Sequence, residues 1–223
     1  KDPHARRAMM SGCDITILCL PDDAARDSAA LAAEVGARVI DASSAHRTAD
    51  GWDYGFAELV DGAYDAVARS ARISNPGCYP TSIQLPLVPL FKKNMIKNNN
   101  ITIDSKYGYS GAGKNLEKKF KHKNLFSSTF AYNTKNHRHI CEIDQQFLKL
   151  TKKKIYFSFN PHLLPTFRGI LTSIYVQTNK GITGKILRKS LINYYKNSKF
   201  IKILKLNSSL GSGNVLNTNN CEI

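Results

Sequence analysis

A cysteine stands in the run Ser74-Asn75-Pro76-Gly77-Cys78-Tyr79-Pro80-Thr81, where a turn leads into an apolar, helix-forming stretch. At a helix N-terminus the unpaired backbone N–H groups favour thiolate over thiol, and the thiolate is the nucleophilic form. Gly77 gives the backbone freedom to turn, while Pro76 and Pro80 stiffen the approach. The alternative for such a residue is a buried structural thiol. A cysteine nucleophile also needs an acid/base close by, and histidine titrates in the useful range. Asn136-His137-Arg138-His139-Ile140-Cys141-Glu142-Ile143 offers two imidazoles, a guanidinium and a carboxylate within eight positions. Its plainer reading is a solvated loop or one that faces nucleic acid. A third segment, Gly108-Tyr109-Ser110-Gly111-Ala112-Gly113-Lys114, follows a predicted strand. Its glycines permit close backbone approach to a ligand, and free N–H groups there would bind phosphate oxygens. The glycine spacing is not that of a P-loop.

The elements that must position these residues follow from periodicity. Asp14 to Leu20 is a short apolar run ending at Pro21, as expected of a buried parallel strand. Asp22 or Asp23 is placed to cap a helix running to about Val35, with Gly36 stopping it. Arg38 to Asp41 reads as the next strand, which completes a βαβ unit, the building block of a doubly wound sheet. Residues 42–62 read as loop and Val67 to Arg72 as helix. Tyr79 to Lys93 reads as a helix that Pro86 and Pro89 should kink or shorten. Beyond it, Ile101–Asp104, Ile155–Phe159, Ile170–Gln177 and Phe200–Leu206 read as strands, with helices over Ile140–Leu150 and Thr183–Asn197.

The 223 residues suffice for one large domain or two small ones, and 42% are hydrophobic. No apolar run approaches the roughly 20 residues that a membrane-spanning helix needs, and no apolar segment follows Lys1-Asp2-Pro3-His4 as a signal peptide would require. Five cysteines at irregular spacing form neither a zinc pattern nor a disulfide framework, which suggests a reducing, cytoplasmic setting with mostly buried thiols. Cys13, Cys19 and Cys221 are read as such thiols, and Trp52, Tyr194 and Tyr195 as packing residues. The net charge of +15 would suit a polyanion, but its distribution argues otherwise. Residues 1–72 carry 8 Lys+Arg against 12 Asp+Glu, and the remainder carries 24 against 5. Over the same boundary Ala falls from 17 to 2 and Asn rises from none to 18. A surface shaped for nucleic acid would change its charge without also exchanging Ala for Asn, so the basicity reads as compositional.

Taken together, these segments resemble the N-acetyl-gamma-glutamyl-phosphate reductases. The likeness rests on the Ser74–Thr81 cysteine signature, the Ser110–Gly113 loop, the His137–Ile143 segment, and Pro165, Arg168, Gly169, Ile170 and Leu171. Residues 14–60, with the loop Asp41 to Thr48 and Tyr54-Gly55-Phe56, resemble a shorter bacterial branch, and residues 73–223 the enterobacterial type. The resemblance implies an α/β protein with a partial Rossmann-like NADP-binding domain over 1–75. An α+β catalytic and dimerisation domain of the glyceraldehyde-phosphate/aspartate-semialdehyde dehydrogenase kind would follow over 76–223. It implies NADPH-dependent reduction of N-acetyl-gamma-glutamyl phosphate to the semialdehyde, through a thioester on Cys78 with His137 as acid/base. Arg47, Arg138 and Arg168 become candidates for the substrate's anionic groups, with Asn75, His139 and Glu142 in support. Ser110, Gly111, Gly113 and Pro21 are expected beside the cofactor, with no metal. A cytoplasmic homo-oligomer, dimer or tetramer, is implied, with neither nucleic acid nor membrane as partner. The family's glycine-rich first turn and its C-terminal helix are expected outside this stretch of chain. Ser82 and Pro86 stand where the family usually has smaller residues. A reductase of aminoadipyl or aspartyl phosphate, and a catalytically silent basic binding module, are the competing readings.

Overall fold

The computed structural model describes residues 2–113 and 124–223, and the chain divides into two units, Lys1–Gly77 and Cys78–Ile223. Lys114, at the end of the glycine-containing segment, lies outside the described residues.

The first unit contains α1 (Pro3–Ser11), β1 (Thr16–Leu18), α2 (Asp22–Glu34), β2 (Val39–Asp41), β3 (Asp53–Tyr54), α3 (Ala63–Arg69) and β4 (Arg72–Ser74). Its four strands are all parallel, in the order β1-β2-β4-β3. Parallel neighbours require a crossover, and α2 supplies it between β1 and β2. Ala29, Leu31 and Ala32 on α2 are buried with Leu18, Val39 and Met10, and Trp52 packs against that cluster. The small alanines let the helix lie close to the sheet. The expected βαβ unit is therefore present, with three corrections to its details. Pro21 is the residue before α2 and makes no side-chain cap. Asp22 instead starts the helix and accepts from the backbone N–H (3.1 Å) and hydroxyl (2.8 Å) of Ser44. β1 is an edge strand of this sheet, with Ile17 63% exposed, so it is not buried on both faces. The helix expected over Val67–Arg72 lies earlier, because Ser70 turns extended and its hydroxyl accepts from the Arg72 N–H at the start of β4. The helix α1 was not foreseen; Asp2 caps it through the His4 N–H at 2.8 Å, with Pro3 in its first turn.

The second unit contains α4 (Cys78–Lys92), β5 (Ile101–Gly108), a 3-10 turn (Tyr109–Ala112), a second 3-10 turn (Leu125–Ser127), β6 (Phe130–Ala131), α5 (His139–Thr151), β7 (Phe157–Leu164), β8 (Ile170–Tyr175), α6 (Gly184–Tyr194), β9 (Ile201–Lys202), a third 3-10 turn (Ser212–Val215) and β10 (Cys221–Glu222). A mixed sheet runs β6-β7-β5-β8, with β5 and β7 parallel and the outer pairs antiparallel. Ile101, Ile103, Ser105 and Tyr107 of β5 point to the buried face, and the residues between them are mostly half-buried. β5 is twice as long as its apolar start suggested. The strand expected over Phe200–Leu206 shrinks to β9, which pairs in parallel with β10.

Pro86 and Pro89 do not end α4, which runs unbroken through both. Each proline lacks the N–H that would bond the carbonyl four residues back. For Pro89 that carbonyl belongs to Leu85, and the buried hydroxyl of Tyr195, just past α6, donates to it at 2.7 Å. Tyr195 is thus a polar partner to α4 as well as a packing residue, because the hydroxyl replaces the missing helix bond. Tyr195→Phe should lower the stability of the chain by about 1–3 kcal/mol, the cost of a buried carbonyl left unpaired. Urea unfolding would read this, and an unchanged midpoint would count against the compensation.

Candidate active site

Cys78 is the first residue of α4, and its thiol is exposed. The start of that helix is tied to the sheet by three hydroxyls. Ser82 donates to the Tyr79 carbonyl at 2.9 Å, and so accepts from Thr172 of β8 at 2.8 Å. Thr172 in turn accepts from the fully buried Ser105 of β5 at 3.0 Å. The direction follows from each hydroxyl having one proton to give. Ser82, a departure from the usual small residue, therefore serves to fix the first turn of α4.

Two cavities open beside Cys78. One, of about 380 Å³, is lined by Tyr107, Tyr132, Asn136, His137 and Arg138 among others. The second, of about 430 Å³, is mostly apolar and includes Ile170, Ile174, Leu210 and Val215 with Ser82 and Thr172. Cys78 lies where a polar and an apolar space meet.

His137 is buried, and aromatic rings surround it. Tyr79, Tyr132 and Phe159 meet it edge-on with centroids 5.5, 5.6 and 5.3 Å away. Its Nδ1 accepts from the backbone N–H of His139 at 3.2 Å, at the first turn of α5. The Tyr132 hydroxyl donates to that of Tyr79 at 3.2 Å, and Tyr79 contacts the His162 carbonyl at 3.5 Å. Burial pushes the Tyr79, Tyr107 and Tyr132 phenols above the ordinary tyrosine range. For Tyr79 and Tyr107 hydrogen bonding with Tyr132 partly offsets that effect, and the nearby Cys78 charge adds to it. The wall is thus a set of protonated phenols, donors rather than anions.

The structure brings His137, Arg138 and His139 to the Cys78 cavity. Arg138 is exposed and immediately precedes α5, while His139 and Glu142 are buried in that helix's first turn. The Ser110–Gly113 segment divides: Gly111 lines the cavity, whereas Ser110 and Gly113 do not, and a Cβ at Gly111 would overlap the Tyr107 ring. Its N–H groups are not all free, contrary to expectation. Tyr109 and Ser110 donate to the carbonyls of Thr166 and Phe167, both at 2.9 Å, which joins this loop to the one carrying Arg168. Arg168 is exposed, lies over the Phe167 ring at 5.3 Å and does not line the cavity.

In the first unit, Arg47 donates to the carbonyls of Asn75 (3.0 Å) and Ala42 (3.2 Å). Asn75 also donates its N–H to the Asp41 carbonyl at 2.8 Å. The Asp41 carboxylate is fully buried; it accepts from Ser43 and meets His46 Nδ1 at 2.6 Å, and His46 stacks on Trp52. These contacts set the segment that precedes Cys78 in the chain. Pro21 stands at the carboxyl end of β1.

All five cysteines are free, and four are exposed, Cys13, Cys19 and Cys141 included, so the expectation of mostly buried thiols fails. Only Cys221 is partly buried, and that burial raises its thiol pKa. Sequence reasoning missed Tyr107, Tyr132, Thr172 and Ser105. A strand read as ending at Asp104 hid the alternation that carries Ser105 and Tyr107 to the Cys78 side of the sheet. Among the described residues, no group of His, Cys, Asp and Glu is arranged to hold a metal ion.

Residues 2–66 match the family model of the semialdehyde dehydrogenase NAD-binding domain, and residues 78–223 that of the semialdehyde dehydrogenase dimerisation domain. An N-acetyl-gamma-glutamyl-phosphate reductase of Thermoanaerobacter pseudethanolicus is 35% identical over 96% of this chain and 66% of its own length. A probable chloroplastic N-acetyl-gamma-glutamyl-phosphate reductase of Arabidopsis thaliana is 36% identical over 76% of this chain and 42% of its own. The chain thus spans less than two thirds of the length of these relatives. An aspartate semialdehyde dehydrogenase from Francisella tularensis shares the fold, with a TM-score of 0.76 at 13% identity, covering 100% of this chain and 74% of that one. With both of its units matched in this way, the chain belongs to the semialdehyde dehydrogenase family.

Proposed function

We propose that this chain acts in the NADPH-dependent reduction of N-acetyl-gamma-glutamyl phosphate to N-acetylglutamate semialdehyde, a step of arginine synthesis. The observation that carries the reading is Cys78 at the N-terminus of α4, opening on one cavity with His137 and Arg138. The named relatives supply the substrate. The Cys78 thiolate attacks the acyl carbon, the tetrahedral oxyanion expels phosphate, and a thioester remains. Bound NADPH supplies the hydride that takes the thioester carbon to the thiohemiacetal level. The oxyanion so formed recloses to a carbonyl, expels the Cys78 thiolate and frees the aldehyde. His137 serves the oxygen that carries charge in both steps. Arg138 faces the anionic part of the substrate, since guanidinium pairs well with oxyanions; Arg47 and Arg168 are the other candidates for its phosphate and carboxylate. His139, Glu142 and Asn75 support this arrangement.

The first unit fits one half of the cofactor. Its parallel strands end at Cys19–Pro21, Ala42–Ser44 and Asn75–Gly77, the side of such a sheet that takes nucleotides. The first turn of α2 carries Asp22 and Asp23, which disfavour a pyrophosphate there. The uncharged nicotinamide end suits this place, with Pro21 beside it. Ser110, Gly111 and Gly113 are separate candidates for contacts to the cofactor. A homo-oligomer in the cytoplasm completes the proposal. Among the described residues, no helix is long and apolar enough to cross a membrane.

The test is alkylation of Cys78 against pH, with and without N-acetyl-gamma-glutamyl phosphate, and Cys78→Ser as control. Faster reaction than at Cys141, with at least tenfold protection by the substrate, is expected. Aspartyl and aminoadipyl phosphates should protect less; equal or better protection would move the substrate assignment to them. Cys78→Ser should abolish turnover without changing the fold, and retained turnover would sink the mechanism.

The raised phenols give a separate expectation. A group whose pKa is higher folded than unfolded stabilises the fold below its unfolded value, about 10 for tyrosine, and that contribution is lost as pH rises through the folded value. Three tyrosines should therefore fail to ionise in an ultraviolet titration until the chain unfolds at alkaline pH. Tyr132→Phe should reduce that number and flatten the alkaline loss of stability; a titration in which all ten tyrosines ionise together while folded would refute it.

A further inference from the structure

The mixed sheet of the second unit has two unlike faces. Ile101, Ile103, Ser105 and Tyr107 of β5 are buried on the side that α4 covers, where Ser82 meets Thr172 of β8. Because side chains alternate along a strand, Asp104 and Lys106 go to the opposite side. Strand register adds Asn160 and His162 of β7 and Leu171, Ser173 and Tyr175 of β8 to that side. None of these residues is buried, and Tyr175 is 63% exposed. One face of the sheet is therefore closed and the other open.

On this open face one carboxylate serves two partners. Asp104 Oδ2 accepts from Lys106 Nζ at 2.7 Å, and Asp104 Oδ1 lies 3.0 Å from His162 Nδ1. Both Oδ1 and Nδ1 are shut off from water, although the two side chains are 29% and 27% exposed; their alignment makes this a contact of charge rather than a hydrogen bond. With His162 neutral the three side chains carry no net charge. With His162 protonated they carry one positive charge. The neighbours do not compensate: β7 brings Asn160, β8 brings Leu171, Ser173 and the phenol of Tyr175, and β6 brings Ala131 opposite His162. None of these is a second carboxylate.

We infer that two copies of this chain associate across the open face of the mixed sheet, and that Asp104, Lys106 and His162 make the association depend on pH. This rests on the homo-oligomer of the proposed function and adds the proton linkage of its surface. A second copy fits the face because the cluster carries both signs and, in a two-fold contact, the same surface meets itself. Leu171 and Tyr175 flank it with the apolar and aromatic area that such contacts bury. Association takes water from the cluster. The neutral set tolerates this, since Lys106 already holds the Asp104 carboxylate. The protonated set loses the solvation of a net charge and meets the like-charged set of the other copy. The free chain therefore binds the His162 proton more readily than the associated chain does. Association is strongest above the range in which histidine titrates and weakens as pH falls through it.

Sedimentation equilibrium of the chain without substrate, at about pH 7.5 and about pH 5.5, reads this directly. The expected result is a dimer whose dissociation constant rises at least tenfold at the lower pH. His162→Gln keeps a neutral polar side chain and should associate as tightly as the parent at the higher pH, with less than a twofold change on acidification. Ser173→Arg sets a large cation beside Asp104 and should leave a folded monomer at both pH values, with circular dichroism checking the fold. Should that variant fail to fold, Tyr175→Asp, at a far more exposed position, takes its place with the same expectation. A parent that is monomeric at both pH values would overturn the inference. So would a folded face variant that associates like the parent, or a His162→Gln chain that keeps the parent's pH dependence. None of these readings involves Cys78. A chain that dimerises as expected but gains no protection from N-acetyl-gamma-glutamyl phosphate upholds the surface and sinks the reductase reading, and a protected monomer does the reverse.

Discussion

Two prolines inside α4 each remove a helix hydrogen bond, and the rest of the second unit is arranged around that loss. The Tyr195 hydroxyl supplies the bond that Pro89 cannot make to Leu85. At the start of the helix, Ser82 is held by Thr172 and, through it, by Ser105 in the neighbouring strand. A helix weakened in its middle by prolines would fray or bend freely in isolation. Here it is fixed at its start by hydroxyls from the sheet and at its middle by the one just past α6. The residue at its start, Cys78, inherits that rigidity, which matters because a nucleophile displaced by even an ångström loses much of its advantage.

The chemistry of the cavity follows from the same economy of charge. Around His137 the wall is built of rings and phenols, and burial keeps the phenols protonated. Desolvation penalises ionised forms, so a buried site that must stabilise a developing oxyanion is better served by neutral donors fixed in place than by mobile cations. Among the described residues, the basic side chains that are abundant after residue 72 contribute only Arg138 to this cavity.

Much of this was legible in the residues, and the failures share a cause. The cysteine signature, the His137–Glu142 segment and the βαβ pattern depend on local spacing, and each lies where its spacing suggested. What escaped depended on partners far along the chain. The unbroken helix through Pro86 and Pro89 needs Tyr195, 110 residues away from Leu85. The hydroxyls of Ser105 and Thr172 look like ordinary strand residues until they meet Ser82. The N–H groups of Tyr109 and Ser110 appeared available to a phosphate because nothing nearby in the sequence could accept from them; the Thr166 and Phe167 carbonyls do so across a loop pairing that no periodicity reveals. Exposure of the thiols at Cys13 and Cys19 was likewise not readable from residue type, since free cysteine is usually buried.

The position of Cys78 between two unlike spaces bears on a difficulty of the proposed reaction. A thioester at Cys78 can be reduced or hydrolysed, and only the first outcome makes aldehyde. The polar cavity, with Arg138 and the donors around His137, suits the groups that carry charge. The mostly apolar one is walled by Ile170, Ile174, Leu210 and Val215, with Ser82, Thr172, Asn220 and Glu222 as its polar groups. Excluding water from one face of the thioester disfavours hydrolysis and strengthens the hydrogen bonds made on the other. The mixed sheet is what permits this division. β5 contributes Tyr107 to the polar side, its antiparallel neighbour β8 contributes Ile170 and Ile174 to the apolar side, and α4 delivers the nucleophile at the boundary.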